Sequence, residues 1–216
     1  MSHDKKLQKA VLEALSFAPT VAADHIGVTA DAGVVTLSGH VDSFAEKHAA
    51  EAIVAEVKGV KAIAEEIEVR LAFDTERDDG EIAAAAVDRL AWDVSVPRKA
   101  VKVMVDKGWV SLSGEVDWFF QKEAAEQDVR RLFGVTGVSN QIAIKPKANA
   151  SDIGDAIQGA MDRSWLPDSA SITVTVEKGS VRLSGEVHSS HDKKLAGSTA
   201  WSAPGVTHVT NDLVVH

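Results

Sequence analysis

The stretch G-W-V-S-L-S-G-E-V, residues 108–116, decides the fold because the chain carries it three times. The other copies are G-V-V-T-L-S-G-H-V at 33–41 and G-S-V-R-L-S-G-E-V at 179–187. Twenty residues after the last glycine of each motif (Gly39, Gly114, Gly185) stands another glycine: Gly59, Gly134 and Gly205. Valine follows each, and eight residues beyond the glycine comes an aliphatic: Ile67, Ile142, Leu213. Constant internal spacing in three copies marks an internal repeat. The copies are displaced by 75 and 71 residues, so the length variation lies ahead of the motif.

Working outward, each copy gives the same local reading. A first helix is predicted over Leu7–Leu15, Ile82–Leu90 and Ile153–Met161. Alternating segments follow at Ile26/Val28, Val101/Val103/Val105 and Ile172/Val174/Val176, the period of a strand with one buried face. Asp31-Ala32-Gly33, Asp106-Lys107-Gly108 and Glu177-Lys178-Gly179 read as hairpin turns. The motif strand comes next, with Val35/Leu37, Val110/Leu112 and Val181/Leu183 on one face. Its closing glycine allows a bend or a close backbone approach. A second helix starts at Ser43, Asp117 or Ser189, each an acceptable N-cap. Its core-facing positions are Ala50/Val54/Val57, Ala125/Val129/Leu132 and Ala196/Ala200/Ala203. Gly59, Gly134 and Gly205 fit the residue just past its end. The last strand carries Ile63/Ile67/Val69, Val138/Ile142/Ile144 and Val209/Leu213/Val215. It follows a helical crossover, so it can lie parallel to a hairpin strand. The fold class is α+β: three tandem small αββαβ domains, each a two-layer unit of a three-stranded mixed sheet covered by two helices. The expected domains are 4–72, 79–146 and 151–216.

The pattern V-x-L-S-G-x-V, a helix, then G-V-x-x-V-x-N-x-[IL] resembles the BON domain, named for bacterial osmotically inducible and nodulation proteins. Asn140-Gln141-Ile142 and Asn211-Asp212-Leu213 match it; Glu65-Glu66-Ile67 of the first copy departs. The resemblance implies a bacterial, non-enzymatic module. Members are associated with envelope stress, osmotic shock, phospholipid surfaces, mechanosensitive channels, secretin-like rings or potassium binding. In one two-domain envelope lipoprotein, the second domain binds anionic phospholipid through its first helix, with a Trp contributing. The matching place here is Ala91-Trp92, with Arg89 nearby. A cytosolic member binds K+ through backbone carbonyls, which leaves no side-chain signature. Potassium is therefore the one cofactor the resemblance suggests.

Composition narrows the classes. The 216 residues are 45% hydrophobic and 25% charged, with no cysteine, which excludes disulfides and thiolate metal sites. A net charge of −9 opposes nucleic-acid binding and non-specific attachment to anionic membranes. Leu7, Val11, Leu12 and Leu15 among charges read as an amphipathic helix rather than a signal peptide. The expected location is cytoplasmic, or periplasmic if a leader has been removed, and no apolar run is long enough to span a membrane.

No catalytic constellation stands out. The Ser-Gly pairs lie in strands and lack a nucleophile elbow, and no phosphate-cradling glycine loop is present. His188, His191 and Asp192 are weak metal candidates, set against the simpler reading of a solvated helix start. Glu65-Glu66 reads as an exposed strand edge, since adjacent strand residues point to opposite faces.

What distinguishes the copies is charge and aromatic content. Residues 1–74, 75–147 and 148–216 carry net charges of −5, −1 and −3. The middle copy holds three of the five Trp, at 92, 109 and 118, and Phe119, Phe120 and Phe133. Trp beside Arg or Lys suits a wet, apolar interface. Arg89, Trp92, Trp109, Trp118, Phe119 and Phe120 are the candidate binding residues, for anionic phospholipid or an envelope protein. Packing between domains or subunits is the competing reading, with Trp165 and Trp201 as further candidates. Self-association by sheet-edge pairing is a third.

Overall fold

The computed structural model describes residues 3–72, 75–145, 150–163 and 171–215. The first repeat runs α1 (His3–Phe17), β1 (Ile26–Asp31), β2 (Val34–Val41), α2 (Phe44–Glu56) and β3 (Ala62–Val69). The second runs α3 (Asp79–Trp92), β4 (Val101–Asp106), β5 (Trp109–Val116), α4 (Phe119–Arg130) and β6 (Gly137–Ile144). The third runs α5 (Ala150–Arg163), β7 (Thr173–Glu177), β8 (Ser180–Val187), α6 (Ser190–Trp201) and β9 (His208–Val215). Each is αββαβ with its own three-stranded sheet, and the motif strand is central: β1-β2-β3, β4-β5-β6, β7-β8-β9. The hairpin pair is antiparallel and the crossover pair parallel in the first and third sheets. By compactness the chain divides into two units. One holds Met1–Arg89, Met104–Ser111 and Asp128–Ser139; the other holds Leu90–Val103, Leu112–Gln127 and Asn140–His216.

The cores follow from the two periodicities. In the first repeat, Leu7, Val11 and Leu15 fall at i, i+4 and i+8 on α1 and are buried with Ala50 and Val54 of α2. Against them lie Val28, Val35, Leu37 and Ile67, the inward residues of the strands. The third repeat repeats this with Ile153, Ile157 and Met161, Ala196 and Ala200, and Val181, Leu183 and Leu213. Each of the Val, Leu, Ile and Met side chains contributes about 1.5–3 kcal/mol on burial, and each alanine less. Val57, Leu132 and Ala203 are only half-buried, because each lies one or two residues past the end of its helix. Val101, Val103 and Val105 are likewise half-buried, and Val215 at the end of β9 is exposed.

The motif glycine has a sharp physical reason. Gly39, Gly114 and Gly185 have φ of 119°, 134° and 130°. A β-carbon on them would lie 2.0 Å from the His25 carbonyl oxygen, 2.0 Å from that of Ala100 and 2.1 Å from that of Ser171. Both the conformation and the approach demand glycine.

The Asn of the family pattern ties helix to sheet. Asn211 donates from Nδ2 to the Lys193 carbonyl at 2.7 Å and accepts the Leu213 N–H at 3.3 Å. Asn140 does the same with the Lys122 carbonyl (2.9 Å) and the Ile142 N–H (3.2 Å). In the first repeat Glu65 takes this place. It accepts the Ile67 N–H but has no donor, and its other oxygen meets the Lys47 ammonium at 2.7 Å. Glu65 is therefore a partly buried ion-pair member at the helix–sheet seam, not an exposed edge residue.

Candidate functional site

The second helix of each repeat begins at a slot held by Ser43, Trp118 and Ser189. Ser43 and Ser189 cap their helices, accepting from the N–H groups of Glu46 (3.2 Å) and Asp192 (3.1 Å). Asp117, expected as the cap of α4, stands one residue too early, because the helix begins at Phe119. With Trp118 in the cap slot the side-chain oxygen that would accept the Gln121 N–H is absent, and only the reciprocal half of the cap is present: Gln121 Oε1 accepts the N–H groups of Asp117 (3.0 Å) and Trp118 (3.1 Å). A cap serine is worth about 1 kcal/mol. The middle repeat forgoes it and gains an indole at the head of α4.

That indole belongs to an aromatic groove within the second compact unit. Phe119 stacks on Trp201, with ring centroids 4.0 Å apart and planes 19° from parallel. Trp118 and Phe120 form a tilted pair at 6.3 Å and 37°. These four rings line a cavity of about 580 Å³ together with Glu123, Lys194, Ser198, Ser202 and Asn211. Phe120 is 53% exposed, so it is not spent on filling a core. The structure thus brings Trp118, Phe119 and Phe120 together and adds Trp201. Arg89, Trp92 and Trp109 do not line this groove.

Trp109 lies against the strand beside it. A β-carbon on Gly137 would fall 2.3 Å from its ring, so the indole rests on bare backbone and stays 50% exposed. Arg89 is anchored by its Nε at 2.9 Å from Oδ1 of Asp128, whose side chain is buried. A removed Arg89 leaves a buried carboxylate behind, so Arg89 has a structural duty. Trp92 ends α3 and is 85% exposed, and Val94, two residues on, is 101% exposed. Val96 is buried and pins the loop, while Arg98 and Lys99 point to solvent. The equivalent of Trp92 in the first repeat is Phe17, which is 91% exposed. Sequence reasoning missed Phe17, although shifting Trp92 back by 75 residues finds it.

His188 and His191 are exposed, and Asp192 closes the α6 cap, its Oδ2 accepting from the Ser189 hydroxyl at 2.6 Å. No cluster of three potential metal ligands occurs among the described residues. Trp165 lies outside the described residues. No described helix is long and apolar enough to cross a membrane.

The BON domain family model matches residues 3–70, 78–146 and 149–216. The chain belongs to the BON family. Its glycine pivots and Asn anchors are the structural content of that family's sequence pattern. Among characterised relatives, the osmotically-inducible protein Y of Escherichia coli (strain K12) is 31% identical over 151 residues, 66% of this chain and 73% of that protein. Among solved structures, CdsD, a structural protein of the type III secretion system of Chlamydia trachomatis, aligns over 98% of this chain and 92% of that one at 17% identity. A second structure, of the CdsD C-terminal domain, aligns over 97% of each chain, also at 17% identity. The TM-score is 0.28 for both, a superposition too loose to inform arrangement or assembly.

Proposed function

We propose that this BON protein is a non-catalytic docking module of the osmotic-stress response, seated on anionic phospholipid through the tip of its second repeat. The carrying observation is the pairing of Trp92 and Val94, 85% and 101% exposed, with Arg98 and Lys99 on the same loop. An indole and an aliphatic suit the boundary between headgroups and acyl chains. Each nearby cation adds about 1 kcal/mol toward an anionic surface. The net charge of −9 turns the rest of the chain away from that surface, so the tip also sets orientation. The likeness to a protein named for osmotic induction supports the physiological setting. Arg89 is not counted in the tip, because Asp128 holds it.

Flotation with liposomes tests the reading. Vesicles containing anionic lipid carry the wild-type chain upward and neutral vesicles do not. Trp92→Ala and the double variant Arg98→Ala/Lys99→Ala each lower the floated fraction severalfold. Absence of flotation, or flotation unchanged by Trp92→Ala, removes the tip as the docking element.

A further inference from the structure

The aromatic groove is a separate feature, and the inference drawn from it does not depend on the membrane tip. We propose that the groove walled by Trp118, Phe119, Phe120 and Trp201 binds a small quaternary-ammonium zwitterion, with the trimethylammonium group against the rings.

Three observations converge. The fold does not need these aromatics. The slot of Trp118 holds serine in both other repeats, and the Trp displaces a working cap. The cavity, about 580 Å³, falls in the range of small-molecule sites, ~300–1,000 Å³.

The lining also has a sign. Ring faces are negative, and they attract cations with apolar substituents at about 0.5–2 kcal/mol each. Glu123, one turn beyond Phe119 on α4, lines the groove and makes no hydrogen bond or ion pair among the described residues. The two lining hydroxyls have committed their hydrogens. The Ser198 hydroxyl donates to the Leu195 carbonyl at 2.9 Å and that of Ser202 to the Ser198 carbonyl at 2.8 Å. Asn211 gives one amide hydrogen to the Lys193 carbonyl. What the two hydroxyls still offer is lone pairs. An ammonium that carries methyl groups and no N–H needs no acceptor of its own, and it is stabilised by a ring of them.

The lining cation is Lys194, the position for the ligand's anionic end. Free trimethylammonium carboxylates and phosphocholine headgroups share this chemistry.

Calorimetric titration of the full chain tests the assignment, with trimethylglycine and phosphocholine as probes. Choline and its neutral carbon isostere 3,3-dimethylbutanol serve as a matched pair. Saturable binding of either zwitterion is expected, and the tighter of the two names the source. Choline should bind about tenfold more tightly than the isostere. Trp118→Ser, the residue both other repeats carry there, should weaken zwitterion binding about tenfold while leaving the circular dichroism intact. Glu123→Gln should weaken it a few-fold. Trp92→Ala should leave it unchanged, which separates this site from the membrane tip. Absence of saturable binding by both zwitterions overturns the proposal. Equal affinity for choline and the isostere does so too, because the groove is then only an apolar cleft.

Discussion

Substituting Gly114 and Gly137 by alanine in separate variants sets a backbone obstacle against a side-chain one. At Gly114 the new β-carbon would sit 2.0 Å from the Ala100 carbonyl oxygen, more than an ångström inside ordinary contact, at a φ of 134°. Alanine in that region carries about 1–3 kcal/mol of strain. The carbonyl belongs to a backbone that cannot swing aside, so the end of the hairpin opens and a ladder bond is lost, about 1 kcal/mol more. The expected loss is roughly 2–4 kcal/mol, a large share of the ~5–15 kcal/mol a small domain possesses. At Gly137 the obstacle is the half-exposed ring of Trp109, which can lift away. Even full loss of its packing removes about 2 kcal/mol. Urea unfolding followed by tryptophan fluorescence reads both, since three of the five Trp belong to the second repeat. Gly114→Ala should lower the midpoint strongly. Gly137→Ala should lower it little and shift emission to the red. Gly39→Ala and Gly185→Ala should match Gly114→Ala by circular dichroism, since both face the same kind of carbonyl. A Gly114→Ala variant within about 1 kcal/mol of the parent refutes the close-approach account.

Further perturbations follow from the seams and the charges. Asn140→Ala removes the bonds to the Lys122 carbonyl and the Ile142 N–H and should cost about 2 kcal/mol in equilibrium unfolding, whereas Asn140→Asp keeps only the acceptor half. Arg89→Ala leaves the buried Asp128 carboxylate without its partner at 2.9 Å and should lower stability by about 1–3 kcal/mol. Its flotation on anionic vesicles should be unchanged. The Glu51 carboxyl is pushed upward, first by burial and then by the charge of Glu65, with His48 and Lys47 opposing. The folded state therefore holds this proton more tightly than the unfolded chain. Its share of stability is present below the ordinary carboxylate value and is lost as pH rises through the raised one. Glu51→Gln should raise the melting temperature at neutral pH and lose that advantage in acid. A melting difference that is constant with pH contradicts this.

The parts of the fold visible in the sequence are those governed by local rules. Spacing located all three repeats, alternation located the strands, and the hairpin glycines marked the turns. The compensations across sequence were not visible. Glu65 read as a solvent-facing edge because nothing local announces that Lys47 will meet it. Asp117 read as the cap because Asp is a better cap than Trp by propensity. Only alignment of the copies shows that the slot falls one residue later. Phe119 and Trp201 are 82 positions apart, and no periodicity connects them. The aromatic excess of the middle repeat was legible as composition; its division into a stacked pair, a tilted pair, a ring on bare backbone and an exposed tip was not.

The contact of Trp109 with Gly137 bears on how the second sheet finds its alignment. A tight turn dictates which residues of a hairpin face each other, but strands joined through a helical crossover receive no such instruction. An indole that packs best on a bare α-carbon in the neighbouring strand supplies one. Displaced by one step, the ring would meet Val138 and its β-carbon, and by two steps Ser139. The first and third sheets place Val34 beside Ala62 and Ser180 beside His208, couples that discriminate far less by size. Misaligned forms of the middle sheet are thus penalised by a single large-and-small couple at its entrance, and a larger residue at Gly137 would lift the Trp109 ring and weaken that penalty.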